Sequence, residues 1–420
     1  MTRESIRKIT AWSLAMWFFA SAFYFYEFLL QVAPAVMLPE LKQAFSADAT
    51  AIGFMGGFYF LAYAGMQIPV GLMIDNFGPR RLLSGAALIC AIGSVLFALS
   101  STIYLAALSR FFIGIGSAFA VVGAMSVVTR WFPSHRFAMF TGLIVTIGML
   151  GATAGGAPIA LLLKIITWRQ VSLLFALIGF ILAIILYLVI RDKPAPASYA
   201  AMEKLPLSSS LKSVLGSSQV WLIAIYGGLM FAPTSGFAAL WGVRSIVSLH
   251  AITRAHAALV VSLIFIGWAV GGPIFGWYSN IRGTRKECMY IASIMAVILF
   301  SAAIYLPQDT VSLGIIFFAF GFFSSGFVLA FTLIKEVTPP ASSATALGFT
   351  NMLNMVGATI AQPLIGWLLD HFWSGHHASD GSRIYMAINY EHALALLPAC
   401  LLIALFLLPF IKETYCREQY

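Results

Sequence analysis

Gly71-Leu-Met-Ile-Asp75-Asn-Phe-Gly78-Pro-Arg80-Arg81 is the stretch that decides the fold of this chain. It follows one long apolar segment, and Gly276-Trp-Tyr-Ser-Asn280-Ile-Arg282-Gly283-Thr-Arg285-Lys286 follows another about half the chain later. Gly71, Asp75, Gly78, Arg80 and Arg81 fall opposite Gly276, Asn280, Gly283, Arg285 and Lys286 without a gap. At nearly the same offset, Gly142 opposes Gly348, and Gly151-Ala152-Thr153 opposes Gly357-Ala358-Thr359. A doubled apolar unit with matching loops predicts two related bundles, the architecture of an alternating-access carrier.

Working outward, the composition fits a membrane. Of 420 residues, 61% are hydrophobic and only 9% charged, too few charges to cover a soluble domain of this size. Apolar windows predict twelve helices at roughly 10–38, 51–74, 80–100, 103–131, 137–164, 169–190, 219–247, 256–279, 286–307, 311–337, 342–369 and 390–411. The expected fold is an all-α integral membrane protein of two pseudo-symmetric six-helix bundles, 1–190 and 219–420, joined by a linker at 191–218. That linker carries Pro194, Pro196 and Pro206, with a short surface helix expected at Ser210–Leu215. The basic N-terminus and the apolar run from Ala11 to Pro39 read as an uncleaved first helix, since the run is too long for a signal core.

The net charge of +9 records topology rather than an anionic partner such as nucleic acid. Most Lys and Arg fall in the termini and in loops on one side, Arg80, Arg81, Arg130, Arg136, Arg282 and Arg285 among them. Lys42, Lys164, Arg169, Arg244, Arg254 and Arg383 fall near the opposite ends. The positive-inside rule then makes both termini cytoplasmic in a bacterial inner membrane. Cys90, Cys288, Cys400 and Cys416 show no paired spacing, so neither disulfides nor a metal pattern is expected. His376 and His377 in a polar loop read as solvated. No nucleophile–base set, phosphate-cradling loop or nucleotide-binding segment points to an enzyme, a cofactor or an ATP-driven pump.

Two side chains stand out inside the spans. Glu27 is an acid within the first helix, and burying it is costly unless it is paired, protonated or facing water. Tyr24, Glu27, Gln31 and Pro34 share one face of that helix. Arg110 is a base within the fourth helix, roughly 10 Å below its start at about 1.5 Å per residue. Three readings stay open: Glu27 takes up a proton, Glu27 and Arg110 together grip a zwitterion, or the two form a structural ion pair. Their counterparts in the second half are Ala232 and Ile315, so charge recognition is expected on the first half. Further candidate contacts are Tyr59, Tyr63 and Gln67 on helix 2, Asn351 and Asn354 with Gln362 on helix 11, and Tyr226 and Trp241 on helix 7. Helix 7 is interrupted at Pro233-Thr-Ser-Gly236, where freed backbone groups offer ligand contacts.

These residues resemble the major facilitator superfamily over nearly the whole chain. The loop after helix 2 is similar to its Gly71…Asp75…Gly78…Arg80-Arg81 signature, with Asn76 and Pro79 at positions often basic, and Arg110…Gly114 is similar to its helix 4 motif. Tyr63-Ala-Gly-Met-Gln67-Ile-Pro69-Val-Gly71 resembles the end of helix 2 in bacterial solute importers of the family, and the glycines of helix 5 resemble an exporter motif. The resemblance implies a monomeric secondary carrier in the lipid bilayer, importing a small polar solute with protons as coupling ion; the Glu27–Arg110 pair suits a zwitterion and puts an amino acid or small peptide first and organic anions next. The alternatives are a proton-antiporting exporter of drugs or metabolites and, in another class, a non-transporting receptor. Gly71, Asp75, Gly78, Arg80, Arg81, Gly283 and Arg285 are then the conformational latch, with Asp75 making charge-assisted bonds that break on rocking.

Overall fold

The structure, a computed structural model, describes residues 9–133, 136–192, 207–377 and 383–417. Among these, twelve helical segments are long and apolar enough to cross a membrane. Spans 1–6 are Ala11–Val32, Ala49–Val70, Pro79–Leu99, Ile103–Trp131, Met139–Leu162 and Trp168–Val189. Spans 7–12 are Ser218–His250, Arg254–Arg282, Lys286–Tyr305, Thr310–Val337, Thr345–His371 and Ala387–Phe410. Polar residues start many of them: Thr10, Asp48, Thr102, Thr167, Ser217, Thr253 and Asp309 each accept a backbone N–H of the first turn. The short helix expected at 210–215 is Leu207–Gly216; Pro194, Pro196 and Pro206 lie outside the described residues.

Two helices depart from the expected continuous form. The first, expected at 10–38, ends at Val32 and bends into a second piece, Pro34–Phe45. Span 7 does not unwind at Pro233; it widens into a π-helical stretch, Pro233–Trp241, and stays helical. Proline explains both, because it has no N–H to give the carbonyl four residues back.

Glycines set the close crossings. A Cβ at Gly114 of span 4 would lie 2.2 Å from the Tyr59 carbonyl of span 2, and one at Gly151 of span 5 would lie 2.1 Å from the Phe25 carbonyl of span 1. Gly148 and Gly155 face span 1 as well, so the glycine run of span 5 seats span 1. Large apolar side chains such as Phe18, Leu188, Val311 and Phe406 remain exposed on the outer faces, suited to lipid tails.

The two halves share a polar seal at one end. Twelve crossings put the start of span 1 and the end of span 12 on one face, called here the terminal face; the other is the far face. At the far face the Asp370 carboxylate at the end of span 11 accepts from Thr50 N (2.7 Å), Thr50 Oγ1 (2.5 Å) and Ala49 N (3.4 Å) at the start of span 2. Arg254 and Glu40 form a two-pronged ion pair across the halves at 2.6 and 3.0 Å. Lys42 Nζ donates to the Arg383 carbonyl at 3.2 Å. Spans 5 and 8 touch there too, Gly156 lying against Ser262 and Ala258. About four turns nearer the terminal face on each helix, Gly142 and Gly276 have open space beside them. Spans 5 and 8 therefore close on the far face and diverge towards the terminal face, while spans 2 and 11 stay in contact as far as Gln67 and Asn351.

Candidate functional site

Glu27 and Arg110 do not pair with each other directly; Tyr59 stands between them. Glu27 is 1% exposed, and one of its oxygens accepts from the Tyr59 hydroxyl. The Arg110 guanidinium lies over the Tyr59 ring, 4.6 Å from its centre. That placement is permitted by Gly114, which lets span 4 approach the Tyr59 backbone. Arg110 is otherwise engaged by span 1. Its Nη1 donates to the Leu30 carbonyl at 2.7 Å and its Nη2 to the Gln31 carbonyl at 3.4 Å. The Leu30 carbonyl is the one that Pro34 deprives of a helical donor. Arg110 thus supplies the hydrogen bond missing at the bend, and two of its five N–H groups are committed to span 1.

The other expected contacts separate into groups. Gln31 lies 3.4 Å from the Tyr59 hydroxyl, Tyr63 packs beside Tyr59, and Tyr24 is buried against Gly148 and the edge of Phe28. Gln67 and Asn351 meet across the halves, Asn351 Nδ2 donating to Gln67 Oε1 at 2.6 Å. Tyr226 and Trp241 turn elsewhere. The Tyr226 hydroxyl pairs with Ser293 of span 9, and Trp241 Nε1 donates to the Gln362 carbonyl of span 11 at 3.0 Å. Asn354 is 1% exposed, and neither atom of its amide has a partner. The free oxygen of Glu27, Oε1 of Gln362 and Oγ1 of Thr234 are likewise buried without partners. Gln362 and Thr234 join the unpartnered buried groups; their signal in sequence was an amide on the polar face of helix 11 and the proline break in helix 7.

With the far face closed, the described loop residues make their contacts inside their own halves. Gly71 and Asp75 lie outside the described residues beyond their place in the helix Ala49–Phe77. Gly78 and Gly283 both adopt positive φ, +76° and +67°, as a helix-ending turn requires. Arg80 stacks on Tyr187 and donates from Nε to its carbonyl at 2.7 Å, inside the first half. Arg81 is exposed. Arg285 is buried, in an ion pair with Glu336 at 2.8 Å and hydrogen bonds to Ser279 and Asn280, all inside the second half.

A repeat that the sequence reading missed completes both loops. Asp192 accepts Arg80 N at 3.0 Å at the start of span 3, and Glu413 accepts Arg285 N at 3.0 Å and Lys286 N at 2.7 Å at the start of span 9. Each acid follows the sixth span of its half, in Ile190-Arg191-Asp192 and Ile411-Lys412-Glu413. Its offset differs from that of the loop signature, which hid the correspondence. A Cβ at Gly78 would lie 2.4 Å from the Asp192 carboxylate, a second reason for glycine there. Thr414 adds a hydrogen bond to Glu336 at 2.5 Å. Burial alone would raise Glu413, but backbone N–H groups of Arg285, Lys286, Tyr415 and Thr414 outweigh it and hold the carboxyl below its ordinary value. At the far face, burial and then the neighbouring Arg244 push Lys42 down to about 8. Burial and then the bond to Asp370 raise Tyr385 above the ordinary phenol.

Two helical halves with buried polar groups between them suit a carrier that rocks about a central site. The profile of the Major Facilitator Superfamily matches residues 13–250 and 229–415. An inner membrane transport protein of Escherichia coli, YajR, is 27% identical over 81% of this chain and 72% of its own length. A probable galactarate/D-glucarate transporter of Escherichia coli, GudP, is 22% identical over 90% of each chain, and a hexuronate transporter of Bacillus subtilis is 22% identical over 82% of this chain and 85% of its own. In fold, the chain is similar to a bacterial homologue of the lysosomal transporter Spinster (TM-score 0.78, 17% identity, 96% of this chain and 98% of that one). It is also similar to the nucleoside transporter NupG (TM-score 0.73, 14% identity, 96% and 99%). The chain is a multi-pass membrane transporter of small solutes, not an enzyme, and it belongs to the Major Facilitator Superfamily.

Proposed function

We propose that this protein is a proton-coupled importer that carries a small polar solute between its two halves, with Glu27 as the group that takes up and releases the proton. The carrying observation is the Glu27 carboxyl: fully buried, held at one oxygen by Tyr59, unpartnered at the other, and not ion-paired with Arg110. An ionised carboxylate in such a place is costly, so protonation is the low-cost way to bury it when the halves close. An amino acid or short peptide needs a cation for its carboxylate, and Arg110 is engaged by span 1. The sugar-acid names of two relatives support a carbohydrate-derived nutrient. The exporter reading drew on the glycines of span 5, and these have a sufficient role in seating span 1.

The test is Glu27→Gln in membrane vesicles with an imposed pH gradient. Accumulation against a gradient should vanish while exchange of labelled for unlabelled solute continues. Accumulation at the wild-type level would overturn the assignment of the proton to Glu27.

A further inference from the structure

Behind the bend of span 1, among spans 3, 4 and 6, lies a cavity of about 20 Å³, room for one water molecule. Its walls are mostly apolar, and Leu30 and Met37 line it from either side of the bend. Three polar side chains also line it: Ser94 of span 3, Arg110 of span 4 and Ser172 of span 6. All three are buried, at 2%, 3% and 3% exposure.

Bonds already made fix what each of these can offer. Arg110 Nη1 and Nη2 donate to carbonyls of span 1, while Nε is buried with no protein partner. A guanidinium nitrogen can only donate. Ser94 gives its hydroxyl proton to the Cys90 carbonyl at 2.8 Å, and Ser172 gives its own to the Trp168 carbonyl at 2.8 Å. The Tyr26 hydroxyl donates to the Phe175 carbonyl at 2.8 Å, so it has no proton left for either serine. Each serine oxygen therefore keeps lone pairs to accept with and no proton to give. The cavity presents one donor and two acceptors.

We infer that this cavity binds a single water, which accepts from Arg110 Nε and donates one proton to Ser94 Oγ and the other to Ser172 Oγ. Three partners is the usual number for a buried water. The same count rejects other small occupants. A halide would suit the guanidinium but has no proton for two serines that have already spent theirs, and a metal or ammonium cation would face the guanidinium charge. An apolar occupant would leave Nε buried and unpaired, which is costly.

The water gives Arg110 a second anchorage. Its Nη groups are held by span 1, and through the water its Nε is held by spans 3 and 6. The guanidinium that rests on the Tyr59 ring is thus fixed from both sides of the bend. Among the described residues neither serine bonds to Arg110 directly, so energetic coupling between them reports the water. This site stands whether or not Glu27 carries the proton.

The experiment images the full-length protein in lipid nanodiscs by electron cryomicroscopy, at a resolution that shows ordered waters, in chloride-free gluconate buffer. A compact peak within hydrogen-bond distance of Arg110 Nε, Ser94 Oγ and Ser172 Oγ is expected. No peak, or one that appears only when chloride or bromide is added, overturns the inference. X-ray hydroxyl-radical labelling, in which a bound water oxidises the side chains beside it, gives a reading without a map. Met37, 1% exposed, should be oxidised in the wild type and spared in Ser94→Val, which fills the cavity and removes an acceptor. Equal oxidation in both proteins, or none in either, overturns it. Ser172→Ala should lower the melting temperature, and the loss should shrink to half or less when Arg110→Leu is also present. The same loss in both backgrounds would mean that no water couples the two residues.

Discussion

Removing the Asp370 carboxylate should open the far face. This side chain of span 11 caps the first turn of span 2 in the other half, accepting Thr50 N, Thr50 Oγ1 and Ala49 N. A helix cap contributes about 0.5–2 kcal/mol, and a hydrogen bond to a charged group about 1.5–3 kcal/mol. These terms overlap, so about 2–3 kcal/mol of the preference for the closed far face is assigned to Asp370 as a whole. That energy corresponds to a shift of roughly 30- to 150-fold in the ratio of closed to open molecules. The flanking Glu40–Arg254 pair is about a third exposed on each side and adds little. The assay is the distance between spin labels at Tyr104→Cys and Val311→Cys, both exposed at far-face span starts, with Cys400 and Cys416 replaced by alanine. Asp370→Ala should add a longer-distance population, and Asp370→Asn, which keeps one acceptor oxygen, a smaller one. Thr50→Val removes one donor from the opposite half and leaves the Asp370 bonds to Arg383 and Tyr385 intact. It should shift the ratio by about fivefold, near 1 kcal/mol. Unchanged distances in all three variants would refute the cap as the closing contact.

Three further outcomes are expected. Arg110→Gln should lower the melting temperature, and adding Pro34→Ala should restore much of the loss, because residue 34 then offers the Leu30 carbonyl an N–H; a solute ligand would show no such rescue, so its absence refutes the bend-repair role. Asp192→Asn and Glu413→Gln should each destabilise by about 0.5–2 kcal/mol through lost caps. Since Glu413 is held below its ordinary value, its stabilisation is present above that value and disappears as pH falls through the folded one, and melting curves of Glu413→Gln should be less sensitive to acid than wild type. Lys42, depressed to about 8, loses its proton in the closed far face before it does when exposed. Raising pH from about 8 towards the ordinary lysine value near 10.4 should therefore favour closure, and Lys42→Met should remove that dependence in the same spin-label assay.

The spans were legible because length and hydropathy alone decide whether a helix can cross a bilayer. The doubled loop was legible because Gly78 and Gly283 end helices in a backbone conformation that few other residues adopt. Glu27 and Arg110 stood out as charges in hydrocarbon, but their relation did not. Periodicity places side chains on faces of one helix and is silent on which neighbour intrudes between two helices, so Tyr59 as intermediary lay beyond it. The helix was expected unbroken to residue 38, and the donor that repairs the bend at Pro34 comes from span 4, 80 residues away in sequence. Asp370 and Glu40 carry no signal in the sequence pattern, and their partners across the halves appear only when the halves dock. Asp192 and Glu413 were recoverable from the sequence, as an Ile–basic–acidic triplet after the sixth span of each half.

The two halves repeat in backbone and diverge in chemistry, and this bears on how a proton could move a gate. Positions opposite Glu27 and Arg110 in the second half are Ala232 and Ile315, whereas the unpartnered groups Asn354, Gln362 and Thr234 all lie on the second half. The first half thus holds the charge and the second the hydrogen-bonding wall. Span 1 connects the charge to the seal: Glu27 precedes the Pro34 bend, and the piece beyond it carries Glu40 and Lys42, two of the far-face contacts. Arg110 holds that bend while resting on the ring whose hydroxyl holds Glu27. Protonating Glu27 removes the charge that draws the Tyr59 hydroxyl, and any shift of Tyr59 is felt by Arg110 and so at the bend. Tyr59→Phe keeps the ring under Arg110 and deletes the hydroxyl link to Glu27, so it preserves the fold and uncouples the far-face distance from pH. An unchanged pH response of that distance in Tyr59→Phe would mean that the proton acts on the gate by another route.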